Sequence, residues 1–242
     1  PEILTADIKE LRRKKIMKDT LFSPVLVEKL SEALGKGEQV ILFQNRRGFA
    51  PVIECKECGW VPHCVNCDVS LTYHKFRNEL VCHYCGYKIQ LPHQCPECQS
   101  LELRTMGFGT EMVEEKIATL FPSAKVERLD FDTARTRAAY ERIIADFEKG
   151  KTQILIGTQM LSKGLDFGNV SVVGILNADS LMNFPDFRAH ERAFQLMAQV
   201  AGRAGRRSRQ GRVILQTKSP DLPLIRQVTE HDYFGLYVGQ ME

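Results

Sequence analysis

Residues Thr152–Asn177 read TQILIGTQMLSKGLDFGNVSVVGILN. Two apolar runs, TQILIGT at Thr152–Thr158 and SVVGILN at Ser171–Asn177, flank a loop that carries Gly164 and Asp166. Short runs that are apolar at nearly every position predict strands buried on both faces, the habit of a parallel sheet covered by helices. Working outward, Gln39–Gln44 (QVILFQ), Lys125–Leu129 and Gly211–Thr217 (GRVILQT) predict further strands, and Leu101–Met106 a short one leading to Gly107-Phe108-Gly109-Thr110. Helical periods lie between them. Ser23-Pro24 is an N-cap followed by proline at the first helical position, Val25, Leu26, Leu30, Ala33 and Leu34 recur at helical spacing, and Gly35 and Gly37 stop the run. Thr110 caps a stripe of Met112, Val113, Ile117 and Leu120. Thr133–Phe147, Ala189–Val200 and Leu222–His231 predict the remaining helices. Strand alternating with helix predicts an α/β fold, a parallel sheet with helices on both faces.

The whole-chain arithmetic fits that class. The sequence has 242 residues, 43% hydrophobic and 26% charged, which suits one large or two small globular domains and excludes disorder, collagen and coiled coil. A net charge of +3 is too mild to argue for nucleic acid by itself. No apolar run reaches the ~18 residues of a membrane span, and no signal peptide opens the chain. A start at Pro1 and an end at Met241-Glu242 lead us to expect a piece of a longer protein. From Lys9 to Lys18 there are six basic residues and one acidic, a linker or exposed arm that is either a solvated charge run or a nucleic-acid contact.

Cysteine is the outlier. All eight lie between Cys55 and Cys98, in four C-x2-C pairs: Cys55/Cys58, Cys64/Cys67, Cys82/Cys85 and Cys95/Cys98. A C-x2-C turn points two thiolates at one tetrahedral metal, and two such turns complete its shell, so eight cysteines suggest two Zn²⁺ ions. A disulfide framework is the alternative for a small secreted domain, and an iron–sulfur cluster also takes four cysteines. Neighbouring thiols at this spacing suit metal better than bridges. Four pairs allow three ways of making two sites. Val69, Leu71 and Tyr73 alternate with polar residues, Arg77-Asn78 can turn the chain and Leu80-Val81 can return it. Such a hairpin brings Cys64 and Cys67 onto Cys82 and Cys85, a zinc ribbon, and leaves Cys55, Cys58, Cys95 and Cys98 for a second, enclosing site. His63, His74, His83 and His93 are then surface or outer-shell groups, because the cysteines already fill two shells.

Three further segments carry chemistry. Gln199-Val-Ala-Gly-Arg-Ala-Gly-Arg206 sets Arg203 and Arg206 three apart, where one helical turn would aim both guanidiniums the same way. Guanidinium matches phosphate oxygens and stabilises charge on a transferring phosphoryl group. Taken alone, this is equally a basic surface loop. Gly157–Asp166 follows a buried strand, placing Gly164 and Asp166 where open α/β sheets bind ligands. Phe43-Gln-Asn-Arg-Arg-Gly-Phe49, also at a strand end, offers donors for backbone phosphates. No phosphate loop G-x-x-x-x-G-K-[ST], Ser-His-Asp set or H-E-x-x-H occurs anywhere in the chain.

In order and spacing these three segments resemble motifs IV, V and VI of superfamily 2 helicases, all from the second RecA-like lobe. The eight-cysteine insertion directly after motif IV narrows the resemblance to the primosomal protein N′ (PriA) family of bacterial replication-restart helicases, over residues 20–230. The resemblance implies a RecA-like (P-loop NTPase-type) lobe at 21–51 and 101–242, an interlobe linker at 1–20, and a zinc module with two four-cysteine sites at 52–100. It implies that Arg203 and Arg206 reach the ATP γ-phosphate, that Gly164 and Asp166 lie near the ribose, and that Gln199 orders the motif VI loop. Asn45, Arg46 and Thr158 would touch the DNA backbone. The implied whole is an ATP- and Mg-dependent 3′-5′ helicase of the bacterial cytoplasm, acting on forked and single-stranded DNA. It would work with primosome proteins and single-strand-binding protein, and with no membrane. This chain lacks the first lobe's motifs, so alone it should not hydrolyse ATP. A zinc-ribbon nucleic-acid-binding module or an interaction scaffold without motor activity is the competing reading, and neither has need of QVAGRAGR.

Overall fold

The computed structural model describes residues 1–17, 21–44, 52–55, 57–58, 60–67, 70–74, 77–82, 85–106, 109–130, 132–161, 165, 167–182, 189–205 and 210–239. The elements run β1 (Glu2–Asp7), α1 (Ile8–Arg13), α2 (Pro24–Gly35), β2 (Gln39–Phe43), β3 (Val52–Cys55), β4 (Thr72–His74), β5 (Glu79–Val81), β6 (Lys88–Gln90) and β7 (Leu103–Met106). They continue as α3 (Thr110–Leu120), β8 (Val126–Leu129), α4 (Arg137–Glu148), β9 (Ile154–Gly157), β10 (Val170–Ile175), α5 (Asp179–Met182), α6 (Ala189–Ala201), β11 (Arg212–Thr217), α7 (Pro223–Thr229) and α8 (Tyr233–Gly239). The chain divides into two units, one of Pro1–Asn45 with Glu114–Glu242 and one of Arg46–Val113, so the second is wider than the 52–100 span expected for the metal module.

The larger unit is built on a six-stranded sheet of order β1-β11-β10-β2-β9-β8, parallel throughout. The burial of each strand follows its place. Every residue of β2 and β9 is buried, β10 and β11 nearly so, while the edge strands β1 and β8 are mostly half-buried or exposed. This is the α/β architecture read from the apolar runs. The core gathers Ile41, Phe43, Leu155, Val173, Val213 and Leu215 from the strands with Ile143, Phe147, Phe194, Met197 and Val200 from the helices. Gly174 of β10 lies beneath α2, where a Cβ would stand 2.9 Å from both Leu26 Cδ1 and Leu42 Cδ2, so that helix packs closely only over glycine.

Local chemistry sets the element ends. The Ser23 hydroxyl accepts the Leu26 amide to cap α2. The Thr136 hydroxyl accepts the Ala139 amide to cap α4. The helix expected from Thr133 therefore starts later: Asp130 carboxylate takes the Asp132 and Thr133 amides, and that turn outcompetes helix.

The start of the chain also departs from expectation. Within the expected linker or arm, Glu2–Asp7 forms strand β1, paired with β11 from Glu2↔Arg212 to Asp7↔Thr217. Its sequence EILTAD lacks a continuous apolar run because an edge strand is buried only in part. The segment after α1 is tied to the sheet by the buried side chain of Gln216. Its Oε1 accepts the Ser23 amide at 2.7 Å, and its Nε2 donates to the Leu21 carbonyl at 2.9 Å.

The smaller unit holds two antiparallel pieces. β3 pairs with β7, and β4-β5-β6 form a three-stranded sheet. The expected hairpin is β4–β5, with Tyr73 opposite Leu80. Its turn includes Asn78 at φ 51, a conformation asparagine tolerates. The third strand, β6, was not read from the sequence, being only three residues long. Its core is small: Ile53, Leu71 and Leu80 with Cys64 and Cys82.

Candidate functional site

In the smaller unit the cysteine sulfurs gather into two clusters. One holds Cys55, Cys58, Cys95 and Cys98, the other Cys64, Cys67, Cys82 and Cys85, with the ligand atoms of each within 4.8 Å of one another. All eight are free thiols. The sulfurs of Cys55 and Cys98, of Cys58 and Cys95, and of Cys64 and Cys85 stand 3.5 Å apart. A tetrahedron with Zn–S bonds of ~2.3 Å has edges of ~3.8 Å, so each cluster fits one zinc ion. The two sites are nested: the outer is closed by the β3–β7 pair, whose last β3 residue is Cys55, and the inner by the β4–β5 hairpin. Tight turns hold each pair. The Gly86 amide donates to the Cys82 carbonyl at 2.9 Å with Gly86 at φ 78, and the Gln99 amide donates to the Cys95 carbonyl at 2.9 Å with Gln99 at φ 60. The glycine meets that left-handed requirement without a Cβ penalty.

The thiols are electrostatically unequal. The amides of Cys58 and then Glu57, donating to sulfur, hold Cys55 down at about 7. The Tyr87 amide, aided by the Cys64 thiol, brings Cys85 to about 6. Cys67 is pushed up to about 12, chiefly because Cys85 beside it holds the thiolate. At Cys58 the Trp60 amide pulls downward, but desolvation and its three crowding thiols leave it at about 12. A divalent ion at the centre of each quartet would favour the thiolate form of the raised thiols as well, which is the behaviour of a metal site.

In the larger unit the two edges of the sheet carry different groups. At the carboxyl edge β2 and β9 end side by side, with Phe43 opposite Gly157 and the Gln44 amide donating to the Gly157 carbonyl at 2.9 Å. Thr158 follows and is buried, its amide reaching the Leu129 carbonyl at 3.4 Å. Gly157 permits the chain to fold over there: a Cβ would lie 2.5 Å from Leu161 Cδ1. Asn45 and Arg46 lie outside the described residues.

The loop after Thr158 does not stay at that edge. Gly164 and Asp166 are outside the described residues, but their neighbours are placed. Leu165 is buried and its carbonyl accepts the Arg203 guanidinium. The Phe167 ring meets Phe147 edge-on at 4.8 Å, and the Asn169 carbonyl accepts the Gln39 amide at 3.0 Å, at the amino end of β2. The segment thus crosses the lobe from the carboxyl to the amino edge, because the next strand, β10, is parallel and must start at the opposite end.

The turn after α6 meets the same segment. The helix stops at Ala201, and the Gly205 amide bonds the Val170 carbonyl at 2.9 Å with Gly205 at φ 75. The described residues Arg203–Gly205 are therefore outside the helix, and Arg206, expected to share the aim of Arg203, is not among them. Arg203 is buried and spent on Leu165; Arg206 is outside the described residues. Gln199 is exposed on α6 rather than packed into the turn. Sequence reasoning missed Gly211, whose Cβ would fall on the backbone of Ala204 and Gly205, so the start of β11 seats the turn directly. A glycine just before a strand was its only signal.

Comparison with known proteins bears on both units. Residues 64–89 match the family model for the PriA DNA helicase Cys-rich region (CRR) domain, and residues 103–208 match the helicase conserved C-terminal domain. The replication restart protein PriA of Bacillus subtilis is 46% identical over 241 residues, which is 100% of this chain and 30% of that protein. The protein of the same name from Haemophilus influenzae is 49% identical over 87% of this chain and 29% of its own length. That of Borreliella burgdorferi is 36% identical over 98% of this chain and 35% of its own length. The chain therefore spans about a third of the length of the curated relatives it matches. No helix among the described residues is long and apolar enough to cross a membrane.

Proposed function

This chain belongs to the replication restart protein PriA family, and we propose from that membership that it is the second motor lobe, with a two-zinc module, of an ATP-dependent DNA helicase that restarts replication at forks. The observation that carries the reading is the crossing segment 158–169, which begins beside Gln44 at one edge of the sheet and ends under the Arg203 turn at the other. A motor must link a nucleic-acid contact to a nucleotide contact, and this segment joins the two.

In this reading Thr158, with Asn45 and Arg46, holds the phosphate backbone of the tracking strand at the carboxyl edge. Gly164, Asp166 and Gln199 serve the nucleotide at the other edge, and ATP with Mg is completed by a first lobe that carries the phosphate loop. The γ-phosphate charge is met by Arg206. Arg203, assigned to the same task by resemblance, acts as a positioning residue through its bond to the Leu165 carbonyl. The two cysteine clusters take zinc and give the module its shape. Tracking is 3′ to 5′, in the bacterial cytoplasm, and the module is the docking point for primosome proteins and single-strand-binding protein.

The test is Arg206→Ala in the longer protein. Loss of an arginine that meets γ-phosphate charge costs about 10³-fold or more in turnover, with nucleotide binding largely kept. Turnover near that of the unaltered protein would remove Arg206 from the role. The 242-residue chain alone should bind zinc and hydrolyse no ATP.

A further inference from the structure

The basic run after β1 has no part in the site described above, and its position gives it one. β1 is the outermost strand of the six, and it ends at Asp7 opposite Thr217, at the carboxyl edge where Gln44 and Thr158 also lie. α1 starts there, capped by the Asp7 carboxylate on the Glu10 amide at 2.9 Å. Arg12 and Arg13 close that helix, Lys14 caps it and Lys15 follows at φ 59, all four exposed. The segment is not loose. Ile8 and Met17, on either side of the four cations, are buried, and the Gln216 side chain holds the following Leu21 and Ser23 against β11.

Glu10 divides the four cations into two classes. It pairs with Arg13 at 2.8 Å and with Lys14 at 3.1 Å. Among the described residues Arg12 and Lys15 have no ion pair. Basic residues in a last helical turn suit the helix dipole, but one or two suffice for that. Four in a row, two of them without an ion pair among the described residues, at the edge assigned to nucleic acid, are the footprint of a phosphate contact.

We propose that Arg12 and Lys15 extend the nucleic-acid track of this lobe, holding DNA phosphates beyond those met by Thr158. Four strand spacings separate β9 from β1, about 19 Å at ~4.8 Å each, so the contact falls several nucleotides further along the strand or on the second strand of a fork. The inference rests on the motor-lobe reading, since it takes the carboxyl edge as the DNA side.

The experiment measures binding of the zinc-loaded 242-residue chain to a single-stranded and to a forked DNA oligonucleotide between about 50 and 200 mM salt. Three proteins are compared: unaltered, Arg12→Gln/Lys15→Gln, and Arg13→Gln/Lys14→Gln. On single strands each phosphate contact contributes about 0.7 to the slope of log K against log salt. The first double variant should lower the slope by about 1.4 on at least one substrate, and the second by less, because Glu10 already offsets those cations. Equal slopes for the Arg12/Lys15 variant and the unaltered chain on both substrates overturn this contact and leave the motor-lobe reading standing. No DNA binding by the unaltered chain at low salt overturns both. All four side chains are exposed, so the variants should fold, which their circular dichroism and zinc content check.

Discussion

The two units bury their chains by different means. The larger unit is built on a six-stranded sheet whose four inner strands are almost wholly buried, and its core joins those strands to α4, α6 and α7. The cysteine unit has a core of Ile53, Leu71 and Leu80 completed by its own cysteines, and strands of three or four residues. So few apolar side chains cannot offset the entropy of ordering the chain, and small units of this kind need a metal or cross-links. The lobe is thus held by apolar area and the module by ligand bonds.

Metal removal is the strongest way to break the comparison. A structural zinc contributes about 10–16 kcal/mol of binding free energy near neutral pH, far more than the module's core. Chelation should abolish amide protection in β4, β5 and β6 while β2, β9 and β10 stay protected from hydrogen exchange. Loss of protection in both units at once would show that the lobe, too, depends on metal.

The reverse test acts on the lobe alone. Gly211→Ala places a methyl on the backbone of Ala204 and Gly205, which cannot yield as a flexible side chain would. Overpacking of this kind costs about 1–3 kcal/mol. Thermal unfolding of the lobe should move to lower temperature with zinc content unchanged. An unchanged midpoint would mean that the motif VI turn is not seated on β11.

Which elements could be read in advance follows from how each is stabilised. The inner strands were legible because QVILFQ, TQILIGT and SVVGILN are buried on both faces and must be apolar throughout. The Ser23-Pro24 start of α2 was legible because capping is local. β1 was not, since an edge strand in EILTAD keeps polar residues, and β6 was too short for any period to show. At the site, the arginines of QVAGRAGR were visible as residue types. Their geometry was not: the turn that ends α6 at Ala201 depends on Gly205 meeting Val170 and on Gly211 lying beneath it, both contacts between distant parts of the chain.

By itself, then, the order of residues determined the α/β class, the presence of two four-thiol shells and the family, because burial period, C-x2-C spacing and motif order are properties of short segments. Only the tertiary structure decided that residues 158–169 cross from one edge of the sheet to the other, that Arg203 is taken up by Leu165, and that the basic end of α1 stands at the same edge as Thr158. Each of these depends on which strands lie side by side. Strand order in a parallel sheet is chosen by packing the whole chain, not by any one stretch of it.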